Sequence, residues 1–315
     1  RPGLMRSLLL TILATSSVQG LWRRHVPRDM IGSTERHINF IPLNATKAGL
    51  FDRRVAFEMI NGLAAYHNAI PHLMGGPHRA DLYLAEKHSE FVNPEWETYF
   101  DTSRPPFTDL MLSPSCKNVT DVNENLLTVF DDGSTCINIK MNLFKNLKHY
   151  TNYGKKFHDL GAGVFFASEI HEKFNQSLRS NGFERGAYGG IHIRRKDRME
   201  LNSVCTQIEK VVDGISKFPE VKTWYVNYYA EDEYKAELKE SLRATYPSKK
   251  FVFEDEDETF MDEKDNYVVG AAQYIRMWNA VAAYETHMCE NDQAAWVCRR
   301  TMELSHGDTC THYHS

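Results

Sequence analysis

The segment Gly189-Gly190-Ile191-His192-Ile193-Arg194-Arg195-Lys196-Asp197 ends a short apolar alternation in an imidazole, two guanidiniums and a carboxylate. Guanidiniums at the end of a buried strand are costly unless an anion meets them. In open α/β sheets the C-terminal strand end is where ligands bind. Paired Arg forks suit a diphosphate better than Lys ammoniums would. The cluster therefore reads as a phosphate seat. The competing reading is a structural ion-pair node in which Asp197 and Glu200 answer Arg194 and Arg195.

The elements needed to position that seat can be followed along the chain. His37 to Leu43 alternates as a strand, and Gly49 precedes Asp52, an expected N-cap. Ala56, Met59, Ile60, Leu63, Ala64 and His67 then form one helical stripe. About Pro71 to Thr135 reads as irregular, with helices expected at Met141–His149 and Ala167–Ser180. In the second half, strands are expected at Gly190–Arg194, Lys222–Tyr229 and Lys250–Glu254. Between and after them lie helical faces marked by Val204 to Ile215, by Tyr234, Leu238 and Leu242, and by Val268 to Ala282. A last strand is expected at His287–Cys289 and a last helix at Trp296–Leu304. This alternation predicts an α/β protein with parallel sheets and right-handed crossovers. The expected architecture is two Rossmann-like domains facing a cleft, residues 30–185 and 186–310, with the boundary near Arg185 to Gly189.

The chain has 315 residues, 42% hydrophobic and 25% charged, which suits two globular domains. A formal charge of −5 gives no electrostatic reason for a nucleic-acid partner. Met5-Arg6, the apolar run from Ser7 to Ala14 and the small residues up to Gly20 read as a signal peptide over residues 1–20. That run is too short to span a membrane. Six cysteines, an even number, fit an oxidising compartment. Cys116 with Cys136 is the favoured pair, because it would close a turn-rich loop. Sequons at Asn44, Asn118 and Asn175 agree with a secretory-pathway lumen, Golgi or ER, or with secretion.

With these pieces in order, the chain resembles the fucosyltransferase superfamily whose first motif is H-x-R-R-x-D, matched by His192-Ile193-Arg194-Arg195-Lys196-Asp197. The order of elements most resembles the α1,6-fucosyltransferases. Tyr225-Val226 through Ala230-Glu231-Asp232 is similar to their strand ending in A-T-D. Ala280 to Cys289, then Glu290-Asn291-Asp292-Gln293, is similar to their helix and C-T-x-S-S loop. Gly49 to Arg54 looks more like the glycine loop of the protein O-fucosyltransferases. The resemblance implies a GT-B fold, GDP-fucose as donor, no metal or other cofactor, and inverting transfer to a glycan or glycoprotein acceptor. It implies that Arg194 holds the β-phosphate and stabilises departing GDP. His192, Arg195, Asp232, Asn291 and Asp292 would complete the donor site, with Asp232 accepting from the guanine edge.

Two positions depart from the pattern. Asn202 stands where the family has a glutamate base, which leaves Glu200 as the candidate base. Asn291-Asp292 stands where a serine pair would meet the donor, and carboxylates beside a diphosphate repel it. Asp232 could equally serve as a helix cap. The run Glu254 to Glu258 contains a D-x-D, but five successive acidic residues read as a solvated loop. His306, His312 and His314 lack a ligand framework. Three functions follow: a glycan fucosyltransferase, a protein O-fucosyltransferase acting on Ser or Thr, or a pseudo-glycosyltransferase that binds nucleotide or glycan without turnover.

Overall fold

The structure is a computed structural model that describes residues 35–43, 49–80, 93–108, 116–120, 125–141, 160, 163–196, 204–286 and 296–299. The expected signal peptide, Asn44, Asp197, Glu200, Asn202, the 142–149 helix, the 287–289 strand, Asn291, Asp292 and the histidine tail lie outside the described residues. No helix among the described residues is long and apolar enough to cross a membrane.

Two sheets carry the chain. The first is built from β1 (Arg36–Pro42), β2 (Ala69–Leu73), β3 (Lys117–Val119) and β4 (Cys136–Met141), in the order β2-β1-β4-β3. All its pairs are parallel. Helix α1 (Leu50–His67) crosses from β1 to β2. Its apolar stripe, with Phe57, Met59, Ile60 and Leu63 fully buried, is what holds it on the sheet. Strands β2, β3 and β4 escaped sequence reading. Their short apolar runs sit among turn residues; of β4, Cys136 to Lys140 falls between the expected elements and Met141 in an expected helix.

The second sheet has the order β7-β6-β5-β8-β9, formed by β5 (Gly189–Arg194), β6 (Thr223–Tyr229), β7 (Lys250–Phe253), β8 (Ala282–Glu285) and β9 (Trp296–Arg299). The first four strands are parallel, and β9 is antiparallel to β8. Four helices accompany them: α2 (Ser168–Ser180), α3 (Ile208–Ser216), α4 (Asp232–Thr245) and α5 (Asn266–Asn279). The chain moves outward from β5 through β6 to β7, then returns through α5 to β8 on the other side of β5. The strand order therefore reverses between β5 and β8, the position where open α/β sheets leave a crevice at their carboxyl ends.

The core is layered around these sheets. One buried cluster runs from Ile38, Phe40 and Ile137 of the first sheet to Ala271, Ala272 and Ile275 of α5. A second fills the opposite face of the second sheet, with Ile191, Ile193, Val211, Trp224, Leu238 and Phe253. The α2 and α5 helices run side by side in the same direction, since Lys173 meets Glu263, Ser177 meets Arg276 and Arg185 meets Asn279.

Four sequence expectations are corrected. Asp52 lies inside α1 rather than capping it, because Leu50, 1% exposed, already belongs to the buried face. Ala282 is in a strand, because Val281 N–H donates to Tyr188 O and begins sheet pairing as soon as α5 ends. Trp296 to Arg299 is a strand that covers the edge of β8, not the start of a helix. Glu254 to Glu256 form a 3₁₀ turn tied to neighbouring side chains rather than a solvated loop. The expected Cys116–Cys136 disulfide is present. Cys205, 2% exposed, is disulfide-bonded too.

Candidate functional site

Two glycines set where β5 can run. A Cβ at Gly189 would stand 2.3 Å from the Trp224 ring, and one at Gly190 would stand 2.7 Å from Met277 Sδ. Without side chains here, the strand slides between β6's tryptophan and α5. From that start, side chains alternate between faces. Ile191 and Ile193 enter the Trp224 core, whereas His192 and Arg194 follow Gly190 onto the α5 side.

The chemical end of β5 is pinned from both sides. Thr286, just past β8, is fully buried. Its backbone N–H donates to His192 O at 3.0 Å, and its Oγ1 accepts from Arg194 N–H at 2.8 Å. On the other side, Arg195 and Lys196 N–H groups donate to Tyr229 O at 2.9 and 3.1 Å. The backbone beneath His192 and Arg194 is thus fixed before any ligand arrives. Such preorganisation is what a charge-stabilising site requires. Thr286 was missed because the α5 periodicity was carried on through Ala282.

The two arginines diverge. Arg194 is half-buried on the α5 side at the reversal point. Arg195 turns to the other face, where Nε donates to Glu231 Oε2 at 3.1 Å and Nη1 to Thr206 Oγ1 at 3.1 Å. Its guanidinium also lies 4.7 Å from the Tyr234 ring centroid. The ion-pair reading therefore holds for Arg195, with Glu231 as the carboxylate. Asp232 is the first residue of α4, its side chain 94% exposed and bonded to Lys235. Of the sequence-derived site residues, His192, Arg194 and Arg195 share one strand end, and Asp232 lies at the surface beyond β6.

The end of β7, where the acidic run reads as a solvated loop, carries a further candidate. There Glu254 accepts a hydrogen bond from Gln273 Nε2 of α5. Burial, only partly offset by the Tyr228 backbone and by Arg276 and Lys235, raises the Glu254 carboxyl to about 7. A carboxyl titrating there is a functional-site signal when it sits at a sheet's carboxyl edge. Its neighbours are otherwise engaged. Asp255 accepts from Tyr228 Oη and pairs with Lys239, and Glu256 pairs with Arg243. Asp257, fully buried, pairs with buried Arg276 at 3.2 Å and accepts from Ser177 and Tyr225.

A separate open cleft of about 1040 Å³ lies at the N-terminal ends of α2 and α5, lined in part by Phe100, Asp101, Ser168, Glu169, Lys173 and Glu263. None of the β5 residues lines it. Its volume would accept a sizeable ligand, but its charged groups face one another, as Lys173 and Glu263 do.

No protein-family model matches the chain, and no curated protein matches it significantly. Solved structures align with most of its length. The fucosyltransferase NodZ from Bradyrhizobium is 10% identical with a TM-score of 0.44, over 80% of this chain and 96% of that one. A NodZ α-1,6-fucosyltransferase crystallised with GDP is 11% identical with a TM-score of 0.43, over 80% of this chain and 88% of that one. One soaked with GDP-fucose is 12% identical with a TM-score of 0.45, over 85% of this chain and all of that one. Likeness of this degree carries no argument about activity.

Proposed function

We propose that the chain is a metal-independent glycosyltransferase of the two-domain GT-B kind that moves L-fucose from GDP-fucose to a glycan acceptor with inversion. The observation that carries this reading is Arg194 at the strand-order reversal, on a backbone held by Thr286. A guanidinium fixed there meets the growing charge on a departing diphosphate, the role a divalent ion would otherwise fill. His192, on the same face, donates to the same phosphates. Arg195 acts through position, holding the start of the following loop against Glu231 and Tyr234. Glu200 is the proposed base.

Recognition of the base edge falls to Glu254 and Gln273 rather than to Asp232. β7 lies two strands from β5, about 10 Å along the sheet, which suits the reach from phosphate to nucleobase. A carboxyl and an amide side by side offer acceptors and a donor to a guanine edge. Acceptor binding falls to the first sheet's region, in a secretory lumen, which the Cys116–Cys136 bond supports.

The test is thermal stabilisation by GDP. The native chain should gain stability with GDP, and Arg194→Ala should lose most of that gain. Glu254→Gln should narrow the preference for GDP over ADP. No GDP effect in the native chain would overturn the reading. Arg195's internal commitment favours a second reading, a nucleotide-binding pseudo-transferase. That reading wins if GDP binds but GDP-fucose is neither hydrolysed nor transferred to any glycan or Ser/Thr acceptor.

A further inference from the structure

Two of the three sequons fall on described residues, and the fold treats them in opposite ways. Asn118 sits in β3, the outer strand of the first sheet, with its side chain exposed and its backbone extended. Its Oδ1 accepts from Asn138 Nδ2 at 3.2 Å, a bond that leaves the carboxamide nitrogen of Asn118 unused. Thr120, the third sequon residue, is exposed as well. Two residues before Asn118, Cys116 is bound to Cys136, so the acceptor segment is held to the sheet.

Asn175 is placed differently. It lies mid-helix in α2 and is half-buried. Its sequon serine, Ser177, is 1% exposed, donates to Asp257 and accepts from Arg276. The hydroxyl that sequon recognition needs is locked inside a buried charge network. Asn44 lies outside the described residues.

We infer that Asn118 is an N-glycosylation site of the folded protein and that its glycan shields the outer edge of the first sheet. The inference takes only the lumenal location from the proposed function and is independent of fucosyl transfer. In the reaction, Asn118 Nδ2 bonds to the anomeric carbon of an oligosaccharide carried on a lipid pyrophosphate. The sugar–phosphate bond breaks, the lipid pyrophosphate leaves with the bonding electrons, and the amide proton passes to a base of the transferring enzyme. The Oδ1 bond to Asn138 survives this change. Among the described residues β3 is the outermost strand, and an outer strand's backbone groups can pair with another chain. A branched, hydrated glycan on that strand blocks such pairing without a new protein contact.

The full chain, expressed in a secreting eukaryotic cell, would be measured by intact mass before and after peptide N-glycosidase. Thiol labelling without reductant would be read alongside. The native chain should lose a glycan mass, with Asn118 converted to Asp. Asn118→Gln and Thr120→Ala should each abolish that glycan, and Asn175→Gln should leave it unchanged. The enzymatically deglycosylated native chain should also self-associate faster at equal concentration. An unmodified Asn118 overturns the inference. If Cys116 and Cys136 are then found oxidised, the lumenal reading stands and only the glycan assignment falls. If they label as free thiols, the lumenal reading falls with it.

Discussion

The two sheets solve the same packing problem by different means. Among the strands of the first, the buried polar residues are neutral: Asn39, Asn138 and His72, the last lowered to about 4 chiefly by burial and then by His37, while α1 buries a cation of its own, Arg53. Rings meeting edge to face fill the space beside it, with Phe57 against Trp96, Phe100 and Phe107 at 5.1, 6.0 and 5.5 Å. A disulfide closes its far side. The second sheet buries a charge pair against its face. Arg276 and Asp257 are 1% and 0% exposed, and the Arg276 guanidinium stacks 3.5 Å from the Tyr225 ring centroid. The sheet that presents arginine at its edge thus also carries a closed arginine beneath it. That closed guanidinium is held through its two terminal nitrogens, Nη1 on Asn227 and Nη2 on Ser177 and Asp257, and the difference shows which guanidinium is architecture.

The strongest test of that difference removes the buried cation. Arg276→Ala leaves Asp257 inside the core with no counter-charge, and chemical denaturation should show a loss of about 3–5 kcal/mol. Replacing both partners with apolar residues, Arg276→Met with Asp257→Leu, should recover a substantial part of that loss. If the double variant is no better than the single one, the pair's electrostatics are not what holds α2, β6 and α5 together.

The corresponding lever in the first sheet is covalent. Cys116 and Cys136 are 20 residues apart, and opening a loop of that length should cost about 3 kcal/mol. In Cys136→Ser, faster hydrogen exchange should be confined to β1–β4, with β5 and β6 unchanged. Equal acceleration in both sheets would mean that the two regions are not independently secured.

These contrasts also mark what the amino-acid order makes readable. In the second sheet β5, β6 and β7 were legible because each is followed by a helix with an apolar stripe, as Tyr234, Leu238 and Leu242 provide for α4, whereas β8 and β9 read as helix. In the first only β1 and its helix α1 were, because β3 has three residues and β4 pairs with β1 and β3 across sequence gaps of 20 residues or more. His192 and Arg194 stood out by spacing alone. Thr286 and Gln273 did not, since Thr286 works on backbone 92 and 94 residues before it and Gln273 on a turn after β7. Arg195's described partner was hidden for the same reason. The carboxylate that answers it among the described residues, Glu231, comes from beyond β6, 36 residues on.

A smaller effect probes how tightly the second sheet is built on its Trp224 side. A Cβ on Gly214 would fall 2.4 Å from two atoms of the Tyr284 ring, and that ring is buried and donates to Cys205 O at 3.0 Å. Gly214→Ala should therefore destabilise by about 1–3 kcal/mol through overpacking, despite alanine's better helix propensity. A stabilised variant in thermal melts would show that α3 can shift away from β8 freely.

The last test separates Glu254 from the architectural carboxylates beside it. Asp257 is lowered below its usual range, chiefly by hydrogen bonds from Ser177 and Tyr225 and by Arg276, which outweigh its burial. Glu254 goes the other way, from 4.5 to about 7, because burial outweighs its donors. A carboxyl whose folded pKa is raised stabilises the protein while it stays protonated. That contribution is complete below about pH 4.5 and is lost as pH rises through about 7. Glu254→Gln, which keeps the shape and stays neutral, should therefore match the native chain at pH 4. At pH 8 it should be more stable by roughly 1–3 kcal/mol. Asp257→Asn should show the opposite trend, losing most stability relative to the native chain at neutral pH and least in acid. If Glu254→Gln gives a difference that does not change with pH, Glu254 is already charged and solvated. The second sheet would then hold its edge carboxylate as quietly as it holds Asp257, and the contrast between a closed interior pair and a strained, ligand-ready edge would disappear.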